Sequence, residues 1–284
     1  MIRSLPNSRA YTLSYHLFVV AYFIFLFAPL FVTCVLAFND SQFPSLPWKG
    51  FTLDWFLADA PRRLGLFNDD INLRAIVTSL QTAVCVAGLS TIVGTCAAFL
   101  FEQERFPGKN LLYFLMLSPL VIPGVILGIS QLMAATTAND LFYNLFGVSI
   151  DVFQPGFKLV VLGQFSFITT FVTLVVSARL KKFDSTLEEA AMNLGATRLE
   201  TIMYITIPFL RPAIITSAAV AFLMSFENFN TTLFLVGSDP TLPINLYLQV
   251  RDGSTPVINA VSFLLIVGTS IIAMANLYFS RKTT

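Results

Sequence analysis

Residues 184–212 read DSTLEEAAMNLGATRLETIMYITIPFLRP, a polar stretch lying between two long apolar segments. Ser185 followed three residues later by Glu188 has capping-box spacing and predicts a helix start. Leu187, Ala190, Ala191 and Leu194 then recur at i, i+3, i+4 and i+7, which makes one narrow apolar stripe. Gly195 ends that helix, because glycine takes the left-handed conformation a C-cap needs. Thr197 and Glu200 form a second box, and Leu199, Ile202 and Met203 a second apolar face. Pro208 and Pro212 mark a turn into the next segment. The stretch therefore predicts two short helices joined by a glycine turn, in a form suited to docking a partner.

The surrounding chain is strongly apolar. Of its 284 residues 56% are hydrophobic and 12% charged, with mean hydropathy +0.75. A soluble domain carries about 25% charged residues, so an all-α polytopic membrane protein is expected. A net charge of +1 gives no reason to expect a nucleic-acid partner. Cys34, Cys85 and Cys96 all lie in apolar stretches and read as buried thiols. His16 is the single histidine, which argues against a histidine-based metal or catalytic site. The first apolar run lacks a small-residue cleavage site and reads as an uncleaved span.

Windows nearly free of charge predict six transmembrane helices, near 15–38, 75–101, 111–134, 159–178, 213–236 and 258–279. Placing both termini inside puts eleven cations in the cytoplasm: Arg3, Arg9, Arg105, Lys109, Arg179, Lys181, Lys182, Arg198, Arg211, Arg281 and Lys282. Six fall outside: Lys49, Arg62, Arg63, Arg74, Lys158 and Arg251. That excess orients both termini and the 184–212 loop to the cytoplasm.

The first external loop, 39–74, contains Trp48, Phe51, Trp55 and Phe56, aromatics that suit a membrane interface or a contact for an external protein. Span two carries Ala83, Ala87, Thr91, Gly94 and Ala98 on one stripe, which lets backbones approach. Span three holds Pro119, Pro123 and the pair Gly124 and Gly128, read first as packing within the chain. In span five, Ser225, Phe226, Glu227, Asn228 and Asn230 place an acid and two amides at membrane depth. A carboxylate facing lipid costs about 2.5–3.5 kcal/mol, so Glu227 is expected to face an aqueous path or donors that fix helix packing. Residues 241–260, rich in proline and glycine, read as a turn-rich external connector.

Glu189-Ala190-Ala191, three residues, Gly195, nine residues and Ile205-x-Ile207-Pro208 resemble the EAA loop of binding-protein-dependent ABC importer permeases. The family pattern ends in Ile-x-Leu-Pro, and isoleucine stands here at 207. The resemblance covers most of the chain and implies a single permease domain over 1–284, with the MetI-like type I fold, a core at 75–280 and a cytoplasmic coupling loop at 179–212. It implies that Glu188, Glu189, Ala190, Ala191, Gly195, Ala196 and Pro208 couple the chain to ATPase subunits. Asn39-Asp40-Ser41, the Ser-Phe-acid run at 225–227 and the 241–260 segment resemble the C-type permeases of spermidine/putrescine importers. Members of that group often carry a second acid where Asn228 stands.

The resemblance implies a bacterial inner-membrane location and no cofactor of the chain's own. The implied partners are two ATP-binding cassette ATPase subunits, a B-type second permease, a periplasmic or extracellular solute-binding protein and membrane lipid. The chain has no Gly-x-x-x-x-Gly-Lys-Ser/Thr, the nearest run being Pro107-Gly108-Lys109-Asn110, so it is not expected to be the ATPase or any other enzyme. Two classes of function fit: an importer permease, for a polyamine or for a solute such as a phosphonate, an opine or iron; and a self-sufficient secondary transporter using Glu227 as its ion site.

Overall fold

The computed structural model describes residues 9–60, 63–253 and 255–281. Arg3, Arg62, Lys282 and Ser254, which entered the charge and loop readings, lie outside them. Helix α1, Arg9–Leu36, is 28 residues long and about 42 Å at 1.5 Å per residue. Nearly all its side chains are exposed, as suits a helix bathed in lipid.

The loop after α1 is a small fold of its own. Asn39 is buried, donates through Nδ2 to the Ser45 and Pro47 carbonyls, and accepts from Lys49 N at 2.8 Å. Trp55, on the single-turn helix α2 (Asp54–Leu57), donates its indole N–H to the Asn39 carbonyl at 2.8 Å. A two-stranded hairpin, β1 (Asp59–Ala60) and β2 (Arg63–Leu64), follows. It presents Arg63 to Asp40 and Asp54, 4.8 Å above the Trp55 ring. Those two carboxylates raise the Arg63 pKa above its ordinary value. Trp55 and Phe56 are buried here, Phe56 against Phe38, which also meets Phe263. Of the four aromatics expected at an interface, Trp48 and Phe51 are exposed, while Trp55 and Phe56 belong to this small core instead.

Helix α3, Asp70–Gln103, runs 34 residues. Its predicted stripe is real: Ala83, Ala87, Gly94 and Ala98 are buried. A Cβ added at Gly94 would stand 2.8 Å from the Val172 side chain, so glycine sets how close α3 comes to α6. The third predicted window divides into α4 (Lys109–Val121) and α5 (Gly124–Phe146). Proline at 123 has no N–H to continue α4, and Ile122 before it turns extended. Helix α6, Phe157–Leu180, is the buried axis, with Ile168, Val172 and Val176 fully enclosed beside Val86, Leu210 and Ala221.

The short α7 (Thr186–Asn193) follows, then α8 (Arg198–Thr201), a π-helical turn at Ile202–Thr206 and α9 (Ile207–Phe226) in one continuous helical run. The expected turn at Pro208 and Pro212 is absent. Pro208 lies inside the run and cannot donate an N–H, and the wider π turn directly before it is where the hydrogen-bond ladder gives way.

After α10 (Thr232–Leu235), residues read as a turn-rich connector instead form α11, Leu242–Gly253. Pro243 sits in its first turn, a position that favours a helix start. Helix α12 is Val257–Arg281.

Among the described residues, α1, α3, α5, α6 and the Arg198–Phe226 run are long and apolar enough to cross a membrane. Helices α4 (Lys109–Val121) and α12 (over Val257–Ile271) add shorter apolar segments, and the expected six spans follow if α4 and α5 share one interrupted crossing. The chain clusters into two compact units, Met1–Leu73 with Leu246–Thr284, and Arg74–Asn245. Cys85 and Cys96, expected to be buried, are exposed on the apolar outer side of α3.

Candidate coupling loop and translocation site

Helix α7 starts on Asp184 rather than Ser185. Asp184 Oδ1 accepts from Thr186 N at 3.0 Å and from its hydroxyl at 2.8 Å, while the Ser185 side chain makes no capping bond. The Thr186 hydroxyl and N–H together hold the Asp184 carboxyl below its ordinary pKa. Serine at 185 already has helical φ and ψ, so its hydroxyl does not reach the first amides. The helix ends as predicted at Gly195, with φ +94°. Ala196 N bonds Ala191 O and Gly195 N bonds Met192 O, the pair of bonds that closes a Schellman turn. The second box is also present: Glu200 N donates to Thr197 Oγ1 at 3.3 Å, and Thr197 N to Glu200 Oε2 at 2.8 Å.

The two adjacent acids of α7 point differently. Glu189 is exposed, and among the described residues no hydrogen bond or ion pair engages its side chain. Glu188 is half-buried and accepts from the fully buried Thr206 hydroxyl at 2.5 Å, with Gln103 Nε2 at 3.4 Å. Ala190, Gly195 and Pro208 are exposed, Ala191 and Ala196 half-buried. Leu187, Met192, Leu194, Leu199 and Met203 are also exposed, so both apolar faces are left open by this chain. Three successive residues at the end of α3 tether the region: Glu102 to Lys181 at 3.5 Å, Gln103 to Glu188, and Glu104 to Arg198 at 2.5 Å. Between them lies an open cavity of about 560 Å³.

A second site forms where two helices break. Pro119 frees the Leu115 carbonyl, which Ser118 Oγ takes at 2.7 Å, and Thr170 Oγ1 takes the Met116 carbonyl at 2.7 Å. Opposite, α9 stops at Phe226, Glu227 is its C-cap, and 228–231 is not helical. Asn228 Oδ1 then caps α10 by accepting from Thr232 N and Oγ1 at 3.2 and 2.8 Å. A Cβ at Gly124 would meet Asn230 Cβ at 3.0 Å, and one at Gly128 the Thr231 carbonyl at 2.8 Å. The two glycines thus serve packing within the chain, as expected. The breaks enclose a cleft of about 210 Å³ lined by Pro119, Ile122, Phe167, Asn228 and Asn230 among others.

The sequence-predicted pathway residues do not all meet. Glu227 and Asn230 are exposed from this chain, and among the described residues no donor engages the Glu227 carboxylate. Asn228 is half-buried beside Asn230 in the cleft. Ser225 is buried and donates to Gln164 Oε1, and Phe226 stacks on Phe222 at 6.1 Å. Gln164, fully buried on α6, also donates to Thr232 Oγ1 at 2.8 Å. Gln131 on α5 donates to the Gly163 carbonyl and Ser166 Oγ at 3.2 and 2.8 Å. Neither glutamine was singled out from sequence, although an amide inside an apolar span is itself a signal.

Residues 90–284 match the family described as binding-protein-dependent transport system inner membrane component. The chain is 34% identical over 262 residues to the putrescine transport system permease protein PotI of Escherichia coli strain K12, covering 92% of this chain and 88% of that one. It is 29% identical over 268 residues to the spermidine/putrescine transport system permease protein PotC of the same strain, covering 94% of each. A bacterial ABC transporter involved in the import of the acidic polysaccharide alginate contains a chain of the same fold, with TM-score 0.74 and 20% identity over 97% of both. The chain belongs to the inner-membrane components of binding-protein-dependent transport systems, as a multi-pass permease.

Proposed function

We propose that the chain forms one half of the translocation pathway of an ATP-driven importer of polyamines. Both termini lie in the cytoplasm, as the excess of Lys and Arg on that side supports. Glu189, with Ala190, Ala191, Gly195 and Ala196 around it, meets one of two ATP-binding cassette subunits. The exposed apolar side chains of α7 and α8 fit that role, since exposed apolar patches on this scale mark docking surfaces. A second permease chain supplies the other half of the pathway, and a solute-binding protein delivers the solute outside.

The observation that carries the polyamine reading is Glu227. It caps a broken membrane helix, faces away from this chain's own core and has no donor among the described residues. A carboxylate so placed needs water, a partner chain or a passing cation. The names of PotI and PotC point to the same solute class. The test is calorimetry on the solute-binding protein that stimulates ATP hydrolysis by the assembled complex. Binding of putrescine or spermidine is expected; a protein that ignores both and takes an anion would overturn the substrate reading.

A further inference from the structure

Glu188 and Glu189 are neighbours in sequence, but their side chains are turned to different surroundings. Glu189 is exposed, whereas Glu188 turns inward to a hydroxyl at the base of another helix. That hydroxyl, Thr206 Oγ1, is wholly buried and belongs to the π-helical turn from which α9 rises. A π turn is a local widening that most sequences avoid, and it recurs where a helix must yield or carry a side chain to an unusual place. Here it ends on the residue that bonds Glu188. A bond between a carboxylate and a buried hydroxyl is among the stronger side-chain contacts. Of the other ties of this region, Glu104–Arg198 is an exposed ion pair, and Glu102–Lys181 sets a half-buried carboxylate 3.5 Å from an exposed ammonium; pairs of this kind contribute little.

We infer that Glu188 is a positioning residue, a latch that joins α7 to the π turn at the base of α9 so that the two move as one body. Force applied to the exposed face of α7 then reaches α9, whose far end is the Glu227 break. Gln103 steadies the carboxylate from the end of α3. This inference rests on the reading of α7 as the ATPase contact, but the latch itself is a property of this chain's own residues.

The test uses the assembled complex in lipid nanodiscs, with Cys34, Cys85 and Cys96 replaced by serine. Spin labels at Asn193→Cys on α7 and Ile215→Cys on α9 report the distance between the helices, with and without trapping by ATP and vanadate. The parent is expected to hold one distance through trapping. Glu188→Ala and Thr206→Val are each expected to let it shift or broaden, with the double variant no worse than either. Thr206→Ser and Glu188→Gln, which keep a hydroxyl and an acceptor oxygen, should restore the parental trace. Uptake of putrescine per ATP hydrolysed should fall about tenfold in the two disruptive variants, at unchanged amounts of complex. Parental distances in both Glu188→Ala and Thr206→Val, or losses that multiply in the double variant, would overturn the latch. Absence of putrescine uptake in the parent would instead strike the polyamine reading and leave the distance result standing.

Discussion

At the scale of single residues, what matters is whether a polar group's partner lies inside this chain. Ser225 and Gln164 satisfy each other in the core, whereas Glu227 has no partner among the described residues. If a cation passes Glu227, Glu227→Gln keeps the shape and removes the charge. Uptake per assembled complex is then expected to fall about tenfold, the scale of ~1.4 kcal/mol. Unchanged polyamine uptake in that variant would take Glu227 out of the pathway. Asp184 allows a second check. Thr186 holds its carboxyl below the ordinary value, so the stabilising charge is present above the ordinary carboxylate pKa and is lost as pH falls through the lowered one. A spin label at Asn193→Cys should therefore report an unchanged α7 from pH 7 to 5, with loosening only below about pH 4. Asp184→Asn, which still accepts from Thr186 without titrating, should remove that dependence; loosening already at pH 6 would speak against the cap.

At the scale of elements, the helix breaks are held by glycines whose neighbours are backbone. A Cβ at Gly128 would press the Thr231 carbonyl at 2.8 Å, and backbone cannot swing aside as a flexible side chain can. Gly128→Ala is expected to cost about 1–3 kcal/mol, read as a lower melting temperature of the purified permease. Gly88→Ala, on α3 with nothing within 4 Å of the new methyl, serves as the control and should not destabilise. Equal melting of the two variants would show that the 227–231 segment adapts freely. These breaks also mark how far the sequence could be read. Hydropathy located the spans because twenty apolar residues are needed to cross a bilayer. It could not see the interruption at Ile122-Pro123, because hydropathy is blind to a missing N–H. The Gly195 turn and the Thr197 box were readable because a positive φ and a local side-chain bond depend on neighbouring residues alone. Ser185 caps nothing because it already has helical φ and ψ, a conformation that pattern alone does not reveal, and Asp184 takes the Thr186 amide instead. Gln103, Gln164 and Thr206 stayed hidden because their partners lie 61 or more residues away, or on the next helix.

At the scale of the whole molecule, the proposed orientation of the chain rests on its charge distribution. The positive-inside bias acts during insertion, on short loops near span ends, and so it can be read without any packing. On the proposed orientation α7 is cytoplasmic and the 237–241 turn between α10 and α11 lies outside. Asn193, in the last turn of α7, and Asp239, in that outer turn, are both exposed, and so suit labelling. Cysteines at either position, in a background with Cys34, Cys85 and Cys96 replaced, should react with a membrane-impermeant maleimide from opposite sides. Intact spheroplasts should label Asp239→Cys and spare Asn193→Cys; inside-out vesicles should reverse the pattern. The broken third span makes the outcome informative. Were α4 and α5 each to cross the bilayer, everything after them would be inverted relative to the amino terminus, and α7 would face outward, away from any ATPase. Labelling of Asn193→Cys in intact spheroplasts would therefore remove both the six-span path and the coupling role of Glu189. Protection there, with Asp239→Cys reactive and Ala10→Cys also protected in spheroplasts, requires α4 and α5 to share a single crossing.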